Sequence, residues 1–294
     1  MKYWFINMWW NDDATSYNNC YTKHFKDHIA CNNVNEVDVL VVGSFINTVY
    51  DYNRIKQSKC KKILCISEPL TEYMHQLIEE KEFIFIFGCI NENSVNRYKF
   101  PLYASSFDYT DRIIFQNTNN FVKTCDIDSK QFCCLISRHD MYKSRNGIYQ
   151  SLRKINHIVC PGPLFNNCPN TEVNKIGNKE YIKQFKFHIC CESVLVPIEG
   201  YITEKLLNCC LGGAIPIYCG GYDDIDAKIF NKNRIIFFDY RSEHSIKMVT
   251  DRVNYLMNNT EILELFYRQD VFCDSAYDVI QDLEQKLVNG INQL

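Results

Sequence analysis

The chain has 294 residues, of which 46% are hydrophobic and 23% charged, so it is long and apolar enough to bury a substantial core. Its 32 Lys and Arg against 35 Asp and Glu give a net charge of −3, which argues against a nucleic-acid-binding protein that works through a general basic surface. A local cationic pocket remains compatible with this balance. No run of about 18 apolar residues predicts a membrane span and no signal peptide is recognised, so we expect a soluble, cytoplasmic protein.

Short apolar runs flanked by turn residues recur along the chain and predict buried strands. The predicted strands are Val37–Val42, Lys62–Ile66, Phe83–Phe87, Phe132–Ile136, His157–Cys160, Phe185–Cys191, Ala214–Cys219 and Arg234–Phe238. Helical spacing is found over Tyr201–Leu211, over Ile246–Met257 and in a final stretch that carries Tyr277, Ile280, Leu283, Leu287 and Ile291. Strands that alternate with helices indicate an α/β protein with doubly wound parallel sheets.

A polar, Asn-rich segment lies between the first three and the last five predicted strands and predicts a linker at about Asn117–Lys130. We therefore expect two Rossmann-like domains, 1–124 and 125–294, with the option that the final helix packs back on the first domain. In such folds ligands bind at the carboxyl ends of the strands.

The 16 cysteines include three adjacent pairs but no C-x-x-C, so the usual zinc motif is absent. Most of them lie inside apolar runs, which predicts free thiols packed in the core of a protein in a reducing compartment. The sequence also lacks G-x-G-x-x-G, a Walker loop and G-x-S-x-G, which argues against dinucleotide oxidoreductases, P-loop NTPases and α/β-hydrolases.

The segment 181–239 concentrates polar residues where strands and helices meet. The strand Phe185–Cys191 leads to Glu192 and Ser193, and the next loop brings Tyr201, Glu204 and Lys205 to the start of a predicted helix. A cation beside the N–H groups of a helix N-terminus suits a phosphate. Taken alone, Glu204 and Lys205 also fit an ordinary first helical turn.

Two further groups of candidate residues follow other predicted strands. Arg138, Lys143 and Arg145 come after Phe132–Ile136, where basic side chains could hold a diphosphate or line a solvated loop. Glu68 follows Lys62–Ile66, at a position where a carboxylate could act as a general base.

A metal-assisted alternative depends on two Asp-x-Asp patterns, a motif with which many glycosyltransferases hold a divalent ion. Asp126 and Asp128 follow no apolar run, whereas Asp224 and Asp226 follow IPIYCGGY. The second pair is the better candidate, although a three-residue pattern often arises by chance.

The run FKFHICCES…GYITEKLLNCCLGGAIPIYCGG resembles the signature of the α-1,3/α-1,4-fucosyltransferases of glycosyltransferase family 10, which reads approximately F-x-x-x-F-E-N-S, Y-[IV]-T-E-K and [IV]-P-[IV]-x-x-G. FCCLISRHDMYKSR is similar to the family segment that carries a donor-binding arginine, and Ser67-Glu68-Pro69 to the segment that carries the proposed base. Arg97–Tyr103 and the early run Met8-Trp9-Trp10-Asn11-Asp12 extend the likeness over nearly the whole chain.

The resemblance implies a GT-B fold, in which two Rossmann-like domains face a central cleft. It implies a metal-independent, inverting fucosyltransferase that moves L-fucose from GDP-β-L-fucose to a glycan hydroxyl, with GDP as product and Mn²⁺ at most a stimulating ion. The expected acceptor is an N-acetyllactosamine-type oligosaccharide with an α-1,3 link to O3 of GlcNAc or Glc, bound by the first domain. The second domain would bind the donor.

By the same resemblance, Arg145 and Lys205 would bind the diphosphate, Tyr201 and Glu204 would contact the nucleotide-sugar, and Glu68 would be the base. Glu192 and Ser193 would border the donor pocket. The family's F-E-N is Cys191-Glu192-Ser193 here, a departure that removes the aromatic ring and the amide from this wall. Two alternatives stay open: a metal-assisted glycosyltransferase with another donor, and a homologue that binds nucleotide-sugar or glycan without turnover.

Overall fold

A computed structural model describes residues 1–8, 21–31, 36–91, 94, 96–105, 112–194 and 198–294. Eleven strands form within these residues: β1 (Lys2–Ile6), β2 (Ile29–Ala30), β3 (Val39–Val42), β4 (Lys61–Ile66), β5 (Phe85–Gly88), β6 (Arg97–Lys99), β7 (Gln131–Cys134), β8 (Ile158–Val159), β9 (Phe185–Cys191), β10 (Ile215–Cys219) and β11 (Ile236–Phe237). The resembling run Met8–Asp12 lies outside the described residues from Trp9 onward.

The α-helices in the described part are α1 (Val49–Gln57), α2 (Glu72–Glu79), α3 (Leu102–Ser105), α4 (Ile113–Thr124), α5 (Asn146–Leu152), α6 (Thr171–Ile176), α7 (Asn178–Ile182), α8 (Glu204–Leu211), α9 (Glu243–Met257), α10 (Thr260–Tyr267) and α11 (Ala276–Asn292). Side-chain caps fix several of these starts. The Thr48 hydroxyl accepts the Asp51 N–H at the beginning of α1, and the Asp51 carboxylate accepts the Thr48 N–H in return.

The chain groups into two compact units. Unit 1 comprises Met1–Phe107, Glu199–Thr203 and Ile280–Leu294, and unit 2 comprises Asp108–Ile198 and Glu204–Val279. The division into an acceptor-binding domain, 1–124, and a donor-binding domain, 125–294, concerns separate roles in binding and stays a prediction.

Unit 1 holds a six-stranded parallel sheet in the order β2-β1-β3-β4-β5-β6. The three strands β3, β4 and β5 are buried on both faces, which explains their continuous apolar sequences. Helices α1 and α2 pack on one face through Tyr52, Ile55, Met74 and Leu77, against Leu40, Val42, Leu64 and Ile66 of the strands. The last helical residues also belong to this unit, with Ile280, Leu283, Leu287 and Ile291 buried.

Unit 2 holds a five-stranded parallel sheet in the order β11-β10-β9-β7-β8. From β7 the chain runs first to β8 on one side and then back to β9 on the other. The strand order therefore reverses between β7 and β9, and ligands of doubly wound sheets bind outside the carboxyl ends of such a pair.

All eight predicted strands are present, but residues 117–124 of the predicted linker are helical. Residues Ile113–Thr124 form helix α4, whose buried positions Phe115, Thr118 and Val122 have helical spacing. The Asn119 side chain accepts the N–H groups of Val271 and Phe272 and donates to the Phe272 carbonyl oxygen. One of the asparagines that suggested a linker, Asn119, thus hydrogen-bonds the backbone of Val271 and Phe272. Among the described residues, no helix is both long and apolar enough to cross a membrane.

Candidate active site

In unit 2, Arg145 lies at the point where the strand order reverses. Its guanidinium is buried, and Nη2 donates to the Cys191 carbonyl oxygen at 2.7 Å and to Ser193 Oγ at 3.2 Å. The Asp140 carboxylate lies 3.7 Å from Nη1 and accepts the backbone N–H groups of Arg145 and Asn146. The loop after β7 is thereby attached to the carboxyl end of β9, with a cation between the two strand ends.

Glu192 and Lys205 form the second charged contact in unit 2. Glu192 is 1% exposed, and its Oε2 lies 3.5 Å from Lys205 Nζ, which is also 3.5 Å from Glu204 Oε1. The Tyr218 hydroxyl donates to Glu192 Oε1 at 3.4 Å. Burial, reinforced by the negative charge of Glu192, raises the pKa of Tyr218 well above its usual value, so this phenol remains a hydrogen-bond donor.

A cavity of about 270 Å³ brings predicted donor-site residues of unit 2 together. Its lining includes Arg145, Ser193, Glu204 and Lys205, together with Arg138 and His188. Two of the three cations expected after β7 therefore face this space. The third, Lys143, is exposed and is not among the lining residues.

In unit 1, Glu68 follows β4 and is half-buried, with its Oε2 accepting a hydrogen bond of 2.8 Å from the Tyr201 hydroxyl. Tyr201 is 2% exposed. The preceding Gly200 has φ +84°, and a Cβ there would come within 2.6 Å of the Ile90 carbonyl carbon. Only glycine permits both this conformation and this approach, which seats the segment 199–203 against the loop after β5.

Ser44 holds the backbone that carries Glu68. This buried residue follows β3, and its hydroxyl donates to the Cys65 carbonyl oxygen. The Ser44 hydroxyl oxygen also accepts the N–H groups of Ser67 at 2.9 Å and Glu68 at 3.2 Å. The sequence analysis missed Ser44, although a small polar residue directly after the run VLVVG was a usable signal.

The structure groups the predicted site residues into two sets. Arg145, Glu192, Ser193, Glu204 and Lys205 belong to unit 2, whereas Glu68 and Tyr201 belong to unit 1. The predicted helix over Tyr201–Leu211 begins only at Glu204, because residues 201–203 pack with unit 1. Tyr218, Asp140 and His188 were missed, although period-two alternation along β9 places His188 on the face of Glu192.

One aspartate of each Asp-x-Asp pattern accepts a nearby backbone N–H; in the first pattern, Asp126 Oδ1 accepts the N–H of Asp128 at 3.0 Å. Asp226 is fully buried and accepts the N–H of Asp223, while Asp223 Oδ1 accepts the N–H groups of Ile225 and Asp226. Asp224, in contrast, is exposed. In the part of the chain that the structure describes, no group of three His, Cys, Asp or Glu side chains could hold a metal ion.

The cysteines of the described ranges are free thiols, and ten are buried: Cys65, Cys89, Cys133, Cys134, Cys160, Cys190, Cys191, Cys209, Cys210 and Cys219. Burial raises the pKa of the Cys190 and Cys209 thiols well above the usual value, which keeps them protonated. Unreactive, neutral side chains of this kind pack as small hydrophobes.

Comparisons with known proteins agree with this architecture. The family model described as glycosyltransferase family 10 (fucosyltransferase), C-terminal part, matches residues 127–283, just over half of the chain. An α-(1,3)-fucosyltransferase of Helicobacter pylori is 26% identical over 125 residues, which span 42% of this chain and 24% of that relative. The alignment therefore covers about a quarter of the relative's length.

Two crystal structures are similar over most of the chain. An α1,3-fucosyltransferase has a TM-score of 0.71 at 17% identity, with 98% of this chain and 90% of that chain covered. An α1,3-fucosyltransferase with GDP-fucose has a TM-score of 0.67 at 16% identity and the same coverage. At this identity the likeness shows the fold, which is GT-B, as expected. Together with the family match over residues 127–283, the two parallel sheets and their fold establish that the chain belongs to glycosyltransferase family 10, the fucosyltransferases.

Proposed function

We propose that the protein is an inverting fucosyltransferase that moves L-fucose from GDP-β-L-fucose to a hydroxyl of a glycan acceptor. The expected product is an α-1,3 link to O3 of GlcNAc or Glc in an N-acetyllactosamine-type oligosaccharide. The observation that carries this proposal is the cavity of unit 2, where Arg145 and Lys205 supply positive charge at the reversal of strand order. A similar structure is named as a complex with GDP-fucose, which supports the choice of donor.

Arg145 and Lys205 would bind the diphosphate by complementary means. The guanidinium offers a planar set of donors, and its attachment to Cys191 and Ser193 fixes its orientation before a ligand arrives. The ammonium of Lys205 acts as a point charge that Glu192 holds in place. Such preorganised charges stabilise the negative charge that develops on the departing GDP.

Glu68 would be the general base. As the acceptor oxygen bonds to C1 of fucose, the bond from C1 to the β-phosphate oxygen breaks and its electron pair leaves with GDP. The hydroxyl proton passes to the Glu68 carboxylate, and C1 changes from the β to the α configuration through an oxocarbenium-like state. The hydrogen bond from Tyr201 fixes one oxygen of this carboxylate.

The decisive experiment incubates the purified chain with GDP-fucose and a panel of glycans and measures product masses. We expect one added deoxyhexose on a GlcNAc- or Glc-containing acceptor, with the linkage assigned by NMR. Parallel reactions contain EDTA, with or without added Mn²⁺. Activity that disappears in EDTA and returns with Mn²⁺ would instead support metal-assisted transfer.

The two remaining outcomes are also informative. Binding of GDP-fucose without product on any acceptor would support the homologue that binds without turnover. Absence of GDP-fucose binding together with absence of product would overturn the proposed function.

A further inference from the structure

His188 is a buried polar residue of unit 2 that the reaction scheme leaves unused. It lies in the central strand β9, on the same face as Glu192, and is 5% exposed. Its side chain lines the cavity of about 270 Å³ that also contains Arg145 and Lys205. The residue is therefore closed off from bulk water but borders the space assigned to the donor.

Neither ring nitrogen of His188 has a hydrogen-bond partner in the described part of the protein. Buried polar groups are almost always hydrogen-bonded, because an unpaired group forfeits its bonds to water. An unpaired imidazole on the cavity wall is available to a polar group of a ligand that enters the cavity.

The charge state of His188 limits what that partner can be. Burial lowers its pKa to about 4, so the imidazole is neutral at physiological pH. A neutral imidazole presents one N–H donor and one nitrogen acceptor. A hydroxyl can accept from the N–H or donate to the bare nitrogen, whichever of the two faces the cavity, whereas phosphate oxygens are better matched to Arg145 and Lys205.

We propose that His188 is a donor-binding residue that hydrogen-bonds a hydroxyl of the nucleotide-sugar, on either the ribose or the fucose. This inference rests on the proposed function, because it takes GDP-fucose as the molecule that enters the cavity. The imidazole then acts as a specificity contact: a ligand without the matching hydroxyl leaves the cavity-facing ring nitrogen unpaired in the complex.

The test compares wild type with His188→Phe, which keeps a planar ring and removes both nitrogens. Affinities for GDP and GDP-fucose are measured by titration calorimetry, and the thermal midpoint is measured without ligand. We expect GDP-fucose to bind about 10-fold more weakly to the variant, as loss of one buried hydrogen bond implies. The ligand-free midpoint should stay equal or rise, because the variant buries no orphaned nitrogen.

Comparing GDP with GDP-fucose shows which hydroxyl His188 contacts, and two further variants serve as controls. Weaker binding of both ligands places the hydroxyl on the ribose, whereas weaker binding of GDP-fucose alone places it on the fucose. His188→Gln, which retains a donor and an acceptor, should bind more tightly than the Phe variant. If the Phe variant is destabilised, the smaller His188→Leu takes its place.

The possible failures are distinguishable. GDP-fucose affinity within twofold of wild type in a folded Phe or Leu variant would overturn the role of His188. Wild type that fails to bind GDP-fucose would overturn the proposed function itself.

Discussion

Two glutamates occupy equivalent places in the two sheets and differ in almost everything else. Glu68 follows β4 in unit 1, is half-buried and accepts a hydrogen bond from the neutral phenol of Tyr201. Glu192 follows β9 in unit 2, is 1% exposed and lies 3.5 Å from the ammonium of Lys205. An accessible carboxylate can receive a proton from an incoming hydroxyl, whereas a buried one can only position its cation. Strand-end placement alone therefore does not decide the role.

The same substitution at both positions tests this contrast most directly. Glu68→Gln should lower turnover about 100-fold or more, because the amide cannot accept the acceptor's proton, while affinity for GDP-fucose stays unchanged. Glu192→Gln is the matched control, and it should weaken donor binding through Lys205 while retaining turnover at saturating donor. Initial rates and calorimetry measure the two quantities. Near-normal turnover of Glu68→Gln would remove Glu68 from the mechanism.

Replacing Lys205 tests whether the buried Glu192 serves to position this cation. Lys205→Met should weaken GDP binding about 10-fold or more and lower the free energy of unfolding by about 1–3 kcal/mol, since Glu192 stays buried without its ammonium. The double variant Lys205→Met/Glu192→Leu should recover stability but not GDP binding. Recovery of both would show that Lys205 supports the fold and does not bind phosphate.

Tyr201→Phe separates two roles for this tyrosine. If its hydroxyl orients Glu68, turnover should fall about 10-fold through loss of one charge-assisted hydrogen bond, with GDP-fucose affinity unchanged. If the hydroxyl contacts the nucleotide-sugar, as the family resemblance implies, affinity should fall instead. The contact with Glu68 favours the first result.

The last expected effect concerns the pH dependence of stability. Burial lowers the pKa of His188 from 6.5 to about 4, so the unfolded chain binds the proton that the folded chain excludes. The free energy of unfolding is therefore unaffected by His188 protonation above pH 6.5. It falls as the pH drops toward 4, by about 2 kcal/mol between pH 7 and 5. Urea unfolding should show this loss in wild type and a smaller one in His188→Phe. Burial also lowers the pKa of His24, so wild type and His188→Phe should both lose some stability at low pH through His24.

The strands were predictable from the sequence where apolar residues run without interruption. VLVV, KKILCI and FKFHICC are buried on both faces, and each forms a parallel strand where it was predicted. β1 was missed because KYWFI stands out as an aromatic start and its strand character depends on pairing with β3. α4 was missed because Asn-rich composition outweighed the spacing of Phe115, Thr118 and Val122.

For the site, the sequence allowed prediction of which residues take part but not of which of them contact each other. A strand-end glutamate and a Glu-Lys pair at a helix start are visible in sequence, and the resemblance supplied their roles. The hydrogen bond between Glu68 and Tyr201 spans 133 positions, so no local spacing encodes it. The orphaned state of His188 likewise depends on which side chains surround it, a property of packing that a one-dimensional pattern does not carry.

The composition of unit 1 has a consequence for biosynthesis. Its sheet comes from the first 107 residues, but residues 280–294 complete its core, where Gly290 lies against Phe85 and Glu284 lies beside His24. Residues 280–294 must therefore be synthesised before the core of this unit can close, long after its strands have left the ribosome. Until then, nascent unit 1 would carry an uncovered apolar face while unit 2 assembles. A circular permutant that joins 280–294 ahead of Met1 would remove that delay.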